Sequence, residues 1–136
     1  MKVTTNWVSA LAFDATADTG HTVRIDTSVE GGGLGSGMNP KKLLLASLCG
    51  CSGMDVVDIL KKMKVPFTKI EITAEAEQTE EHPKVFKFIK MVYRADVAAE
   101  YIDQLKRAAT LSHDKYCGIS AMLDKHCSIT YEIELV

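Results

Sequence analysis

The sequence has little net charge, no C-x-x-C pair and no long uninterrupted apolar stretch. Sixteen Lys and Arg stand against eighteen Asp and Glu, leaving a formal charge of −2. The lysines are balanced locally by acids, so no basic stripe of the kind a nucleic-acid surface requires emerges. The longest apolar run, Leu43–Cys51, is broken by Ser47 and Gly50, well short of the roughly 18 residues that span a bilayer. The N-terminal residues Met1–Trp7 show neither an apolar signal core nor a small-residue cleavage pattern. These absences lead to the expectation of a cytoplasmic protein with no membrane or nucleic-acid partner. In that compartment the four cysteines are expected to be reduced, catalytic or metal-binding rather than structural bridges.

Other signatures are missing too. The glycine-rich segment 30–37, EGGGLGSG, fits neither the dinucleotide pattern G-x-G-x-x-G nor a phosphate loop ending in Gly-Lys-Ser/Thr. There is no Gly-x-Ser-x-Gly elbow of a serine hydrolase. No internal repeat, low-complexity segment or linker divides the chain, so a single domain over 1–136 is expected, long enough to bury a core without staples.

What is present reads as an α+β protein. Residues 2–14 alternate as a strand, and a turn at Asp18-Thr19-Gly20 leads into His21–Thr27, where His21, Val23, Ile25 and Thr27 share a face. That pair predicts a β-hairpin, with Arg24 and Asp26 on a solvated face and His21 as an interior histidine. Asn39 is placed to cap a helix and Pro40 suits its first position. The helix is expected to run to about Lys64 and stop before Pro66. It is apolar almost all round (Leu43, Leu44, Leu45, Leu48, Met54, Val56, Val57, Ile59, Leu60), which predicts burial on most sides. Strands follow at 68–79 and 85–95 around the turn Glu80-Glu81-His82-Pro83, then an amphipathic helix over 97–113, a short helix near 119–124 and a final strand, 128–136.

The chemistry centres on the cysteines. On a helix Cys49 and Cys51 differ by about 200° in direction, so at most one of them faces a given partner. Gly50 and Gly53 flank Cys51 at about 1 kcal/mol each in helix propensity, which close approach of a backbone or ligand would explain. A small core thiol is the plainer reading of the same residues. Cys117 precedes a short helix whose N–H groups, with Lys115 nearby, favour a thiolate. It reads equally well as a packed turn cysteine. Asp55, one turn beyond Cys51, lies on the same helix face, and its charge opposes a thiolate unless a cation offsets it. His113, Cys117, His126 and Cys127 form a weaker zinc candidate without paired-cysteine spacing.

With these residues in place, the chain resembles the OsmC/Ohr family of peroxide-detoxifying and osmotic-stress proteins. The resemblance rests on Gly20-His21 with Asp26 downstream, the glycine-rich loop, Asn39-Pro40 followed by Leu43–Leu48 and Gly50-Cys51, the strand pair, and Tyr116-Cys117-Gly118-Ile119-Ser120. It covers nearly the whole chain and looks nearest to the uncharacterised OsmC-like subgroup. It implies an intertwined homodimer with an N-terminal hairpin and a long central helix buried by strands of both subunits. It also implies reduction of a small organic hydroperoxide, with Cys51 becoming a sulfenic acid, Cys117 resolving it as a disulfide, and an external dithiol restoring both. Arg24 is the approximate counterpart of the family's thiolate-supporting arginine. No cofactor or metal is implied. In the hydroperoxidase branch an acid follows the Asn-Pro pair and holds that arginine; here the position is Lys41. A non-enzymatic protein holding a small hydrophobic ligand at the dimer interface is the alternative.

Overall fold

The computed structural model describes all 136 residues, which divide into two compact units, Met1–Leu44 and Leu45–Val136. The first unit is a meander of β1 (Val3–Ser9), β2 (Ala12–Ala17) and β3 (Thr22–Ile25), with β2 in the centre and both pairings antiparallel. The expected hairpin therefore has a third strand. The chain reverses at Ala10, which takes φ +48°, and the Trp7 indole N–H donates to the Ala10 carbonyl at 3.0 Å. An alanine in the left-handed region carries no turn signature, so the reversal is hidden inside an alternating pattern.

His21 lies outside the strands, exposed, with its Nδ1 3.0 Å from Thr19 Oγ1. The interior position expected for it does not hold. Asp26 departs from expectation in the opposite direction: it is 2% exposed. Its carboxylate accepts from the N–H groups of Thr27 (2.8 Å), Leu34 (3.1 Å) and Ser36 (3.1 Å) and from Ser36 Oγ (2.6 Å). Those bonds, that of the Ser36 hydroxyl first, hold the acid down at about 2. The glycine-rich loop thus wraps an anion of its own chain. A Cβ at Gly33 would run into Thr27 O and Asp26 Oδ1, and one at Gly37 would lie 2.5 Å from Arg24 O, which is why glycine stands at both places.

The helix α1 (Pro40–Lys62) starts as read, with Asn39 Oδ1 accepting the Lys42 N–H at 2.9 Å. It ends two residues earlier than expected. Lys64 turns left-handed (φ +58°) and the Val65 N–H closes onto Leu60 O at 3.0 Å, satisfying end carbonyls before Pro66. By length and composition this helix could cross a membrane, with a window of mean hydropathy 1.7; the interrupted run 43–51 alone understates it.

In the second unit β4 (Ile70–Gln78), β5 (Phe86–Ala95) and β6 (Ser128–Leu135) form a sheet in that order, antiparallel then parallel. Between β5 and β6 come a 3₁₀ turn (Ala99–Tyr101), α2 (Ile102–Leu111), a π-helical turn (Ser112–Tyr116) and α3 (Gly118–Asp124). The helix expected over 97–113 is therefore flanked by a tighter and a wider turn. The wider one carries a Cys117 N–H bond to Ser112 O at 2.8 Å, an i→i−5 closure.

From α1 only Leu48, Ser52, Val56 and Leu60 are buried, a stripe at four-residue spacing. It joins Ile89, Met91 and Tyr93 of β5 and Leu105, Ala108 and Ala109 of α2 in one core. Each large side chain in this core contributes about 1.5–3 kcal/mol. Met54, on the same helix, is 76% exposed. Within one chain α1 is thus buried along one stripe, not on most sides.

Candidate functional site

Two elements of the second unit bring the sulfurs together. Cys51 is on α1, and Asp55 follows it one turn later on the same face. Cys117 caps α3. The two Sγ atoms and an Asp55 carboxylate oxygen all lie within 4.8 Å of one another. Cys51 and Asp55 are half-buried, whereas Cys117 is 2% exposed.

The Cys117 sulfur accepts the Ser120 N–H at 3.3 Å. That amide favours a thiolate, as the sequence predicted for a helix start, but burial outweighs it. Desolvation, and after it the adjoining Cys51 thiol, push the Cys117 thiol up to about 11. Of the two readings left open for Cys117, its burial favours the packed thiol. Burial also raises the thiols of Cys49 and Cys127, with Asp124 adding to the latter.

Behind the sulfurs runs a line of hydroxyls that the sequence did not reveal. Ser112 Oγ donates to Asp55 Oδ2 at 2.9 Å. Ser52 Oγ lies 2.9 Å from Ser112 Oγ, and the Tyr93 hydroxyl lies 2.5 Å from Ser52 Oγ. Each hydroxyl has one proton. Ser112 gives its proton to the carboxylate, so Ser52 donates to Ser112 and Tyr93 donates to Ser52. Tyr93, Ser52 and Ser112 are almost fully buried, and burial first pushes the Tyr93 phenol up to about 12. These residues are 41 and 60 positions apart, so no local pattern could have joined them.

His113 Nδ1 lies 2.9 Å from Ser120 Oγ, and its ring tilts against Tyr131 at 5.5 Å between centroids. Neither His113 nor His126 enters the sulfur cluster, so the histidine-containing zinc candidate is not assembled. The residues that could hold a metal are Cys51, Asp55 and Cys117. Asp55 also lines a cleft of about 350 Å³ with Ile59, Met63, Leu111 and Tyr116, mostly apolar apart from that acid and the Asp58–Lys62 pair.

Arg24 belongs to the first unit. Its Nε and Nη2 donate to the two Asp14 carboxylate oxygens at 2.5 and 3.2 Å, and Nη1 donates to Ser36 Oγ at 3.2 Å. The hydrogen bond to Arg24 is the main reason the Asp14 acid is lowered. Asp14 and Arg24 are direct partners in the β2–β3 register, so the arginine does have an acid holding it, though not at position 41.

A long apolar helix across a mixed sheet, with two thiols meeting at its middle, defines an α+β thiol protein. The model of the OsmC-like protein family matches residues 32–132, and the chain belongs to that family. It is 30% identical to protein YhfA of Escherichia coli (strain K12), over 100% of this chain and 98% of that protein. A hypothetical protein of known structure from Aquifex aeolicus VF5 is 29% identical, with a TM-score of 0.81 over 99% of this chain and 96% of that one. The organic hydroperoxide resistance protein OhrB of Bacillus subtilis shares the fold at 22% identity, with a TM-score of 0.66 over 98% of this chain and 96% of that one.

Proposed function

We propose that this protein is a cytoplasmic, homodimeric thiol peroxidase that reduces a small organic hydroperoxide through Cys51 and Cys117. The observation that carries the reading is the approach of the two sulfurs to within 4.8 Å. Their surroundings support a division of labour. Cys51 is the more exposed, and Cys117 is buried and held protonated by its setting.

In this reading the Cys51 thiolate attacks the terminal oxygen of the hydroperoxide. The O–O bond breaks, Cys51 becomes a sulfenic acid, and the alkoxide takes a proton from solvent to leave as the alcohol. Cys117 then attacks the Cys51 sulfur, and its proton leaves with the displaced hydroxide as water. An external dithiol returns two electrons and two protons. The apolar wall of the cleft at Ile59, Met63, Leu111 and Tyr116 suits an alkyl group better than hydrogen peroxide. The family resemblance also implies a thiolate-supporting arginine, and Arg24, held by Asp14, is the residue proposed for that part.

Titrating the reduced protein with cumene hydroperoxide while counting free thiols tests the proposal. Two thiols should be lost per chain, none through this route in Cys51→Ser, and one, as a dimedone-trappable sulfenate, in Cys117→Ser. Unchanged thiol loss in Cys51→Ser would refute the mechanism. Tight retention of an apolar ligand without thiol loss would favour the non-enzymatic alternative.

A further inference from the structure

Asp55 has no part in the peroxide chemistry above, and its charge works against it: a carboxylate beside a thiol favours the protonated form. Yet the protein fixes it there. Ser112, fully buried, gives its hydroxyl proton to Asp55 Oδ2. Ser120, 2% exposed, aims its N–H at the Cys117 sulfur. Two of the three groups are thus oriented from behind by buried donors, as outer-shell partners orient metal ligands.

We propose that the reduced protein binds a thiophilic divalent cation, zinc being the natural example, through Cys51 Sγ, Cys117 Sγ and the Asp55 carboxylate. Two sulfurs and one carboxylate oxygen are a recognised donor set for such an ion, and three protein ligands leave a fourth position for water. In a tetrahedral zinc site, donors lie roughly 3.6–3.8 Å apart. The donor atoms here are already within 4.8 Å of one another, so rotation about side-chain bonds closes the set. Cys51 and Asp55 share a face of α1 at i, i+4, as a pair of helix-borne ligands must. Both are half-buried, and Asp55 borders the cleft, which gives the ion a way in. The charge conflict of the peroxide reading also disappears: two thiolates and a carboxylate face a dication instead of each other.

Binding displaces the two thiol protons to solvent. The bound form is also linked to the redox chemistry, and this part rests on the proposed peroxidase reading. A hydroperoxide that oxidises the metal-bound dithiolate takes two electrons from the sulfurs and two protons from solvent. The products are the disulfide, the alcohol, water and the free cation. The ion and the peroxide therefore compete for the same two sulfurs.

The test is an anaerobic titration of the reduced, metal-stripped full chain with Co(II), whose thiolate charge-transfer and tetrahedral d–d absorption bands report the donor set. One cobalt per chain should bind, and zinc should displace it. The charge-transfer band should fall by at least half in both Cys51→Ser and Cys117→Ser and vanish when both are replaced. Asp55→Asn, which keeps an oxygen for Ser112 to donate to, should bind at least tenfold more weakly. Circular dichroism of each variant checks the fold. Equal affinity in Asp55→Asn, a cobalt spectrum without thiolate bands, or equal binding to the disulfide form would overturn the site. No peroxide enters this titration, so a protein that takes cobalt as described yet keeps its thiols against cumene hydroperoxide loses the peroxidase reading and keeps the metal site. If both hold, saturating zinc should slow thiol loss at least tenfold; an unchanged rate would overturn the competition.

Discussion

The two sheets of this protein are stabilised in opposite ways. The second unit packs β5 and β6 under α1 and α2, burying Ile89, Met91, Tyr93 and Ile129. In the first unit every residue of β1 is exposed; Trp7 is 65% exposed and Val3 64%. What that unit does bury is small or polar: Ala12 and Ala15 of β2, and the Asp26 carboxylate, surrounded by loop N–H groups. One sheet has a conventional apolar core. The other holds a buried anion and leaves large apolar side chains such as Val3, Trp7 and Leu11 exposed, as surfaces that meet a partner do. A second copy of the chain is the partner proposed here.

The largest effect should come from the apolar core. Leu60→Ala should cost about 2–5 kcal/mol in urea unfolding; a loss under about 1 kcal/mol would mean that α1 does not anchor the second unit. In the first unit, Asp26→Ala leaves the Leu34 and Ser36 N–H groups without their acceptor. It should cost about 1–3 kcal/mol, read most directly as faster hydrogen exchange at those two amides. If exchange speeds up equally across β5, the contrast between the units is wrong.

Acid and base should sharpen the contrast. Asp26 is lowered from its ordinary 3.8 to about 2, so its contribution is present above pH 3.8 and lost as pH falls toward 2. Cys117 is raised from 9.0 to about 11. Its contribution is present below pH 9 and lost as pH climbs through 11. Amide exchange should therefore show the loop loosening first in acid and the thiol region first in base; the reverse order would break the assignment. The smallest effect on the chain's own stability is expected at Trp7. Trp7→Ser should change it by under about 0.5 kcal/mol while weakening self-association at least tenfold by analytical ultracentrifugation. A monomeric wild type would remove the partner from this account.

The sequence showed local features well and distant ones poorly. The Asn39 cap, the α1 stop before Pro66, the alternation of Ile70, Ile72, Ala74 and Ala76, and the placement of Asp55 beside Cys51 all follow from spacing along the chain. The reversal at Ala10 did not, because its backbone conformation is imposed by pairing and not by residue type. Asp26 was misplaced for a related reason: alternation puts it on an outer face, and only the return of residues 34–36 covers it. That Cys117 meets Cys51 came from family resemblance, since no spacing rule spans 66 residues. The hydroxyls of Ser52, Tyr93 and Ser112 had no signal at all.

Those hydroxyls also give the molecule a reporter of its own. The Tyr93–Ser52–Ser112–Asp55 line has a fixed polarity, every proton pointing toward the carboxylate, only while that carboxylate is charged. Neutralise Asp55 and the line is free to reverse, and Tyr93, the one ring in it, exchanges the role of donor for that of acceptor. A phenol's near-ultraviolet band shifts with that exchange. Tyr93 would thus register, from inside the core and without any attached dye, what happens to the charge beside the two sulfurs.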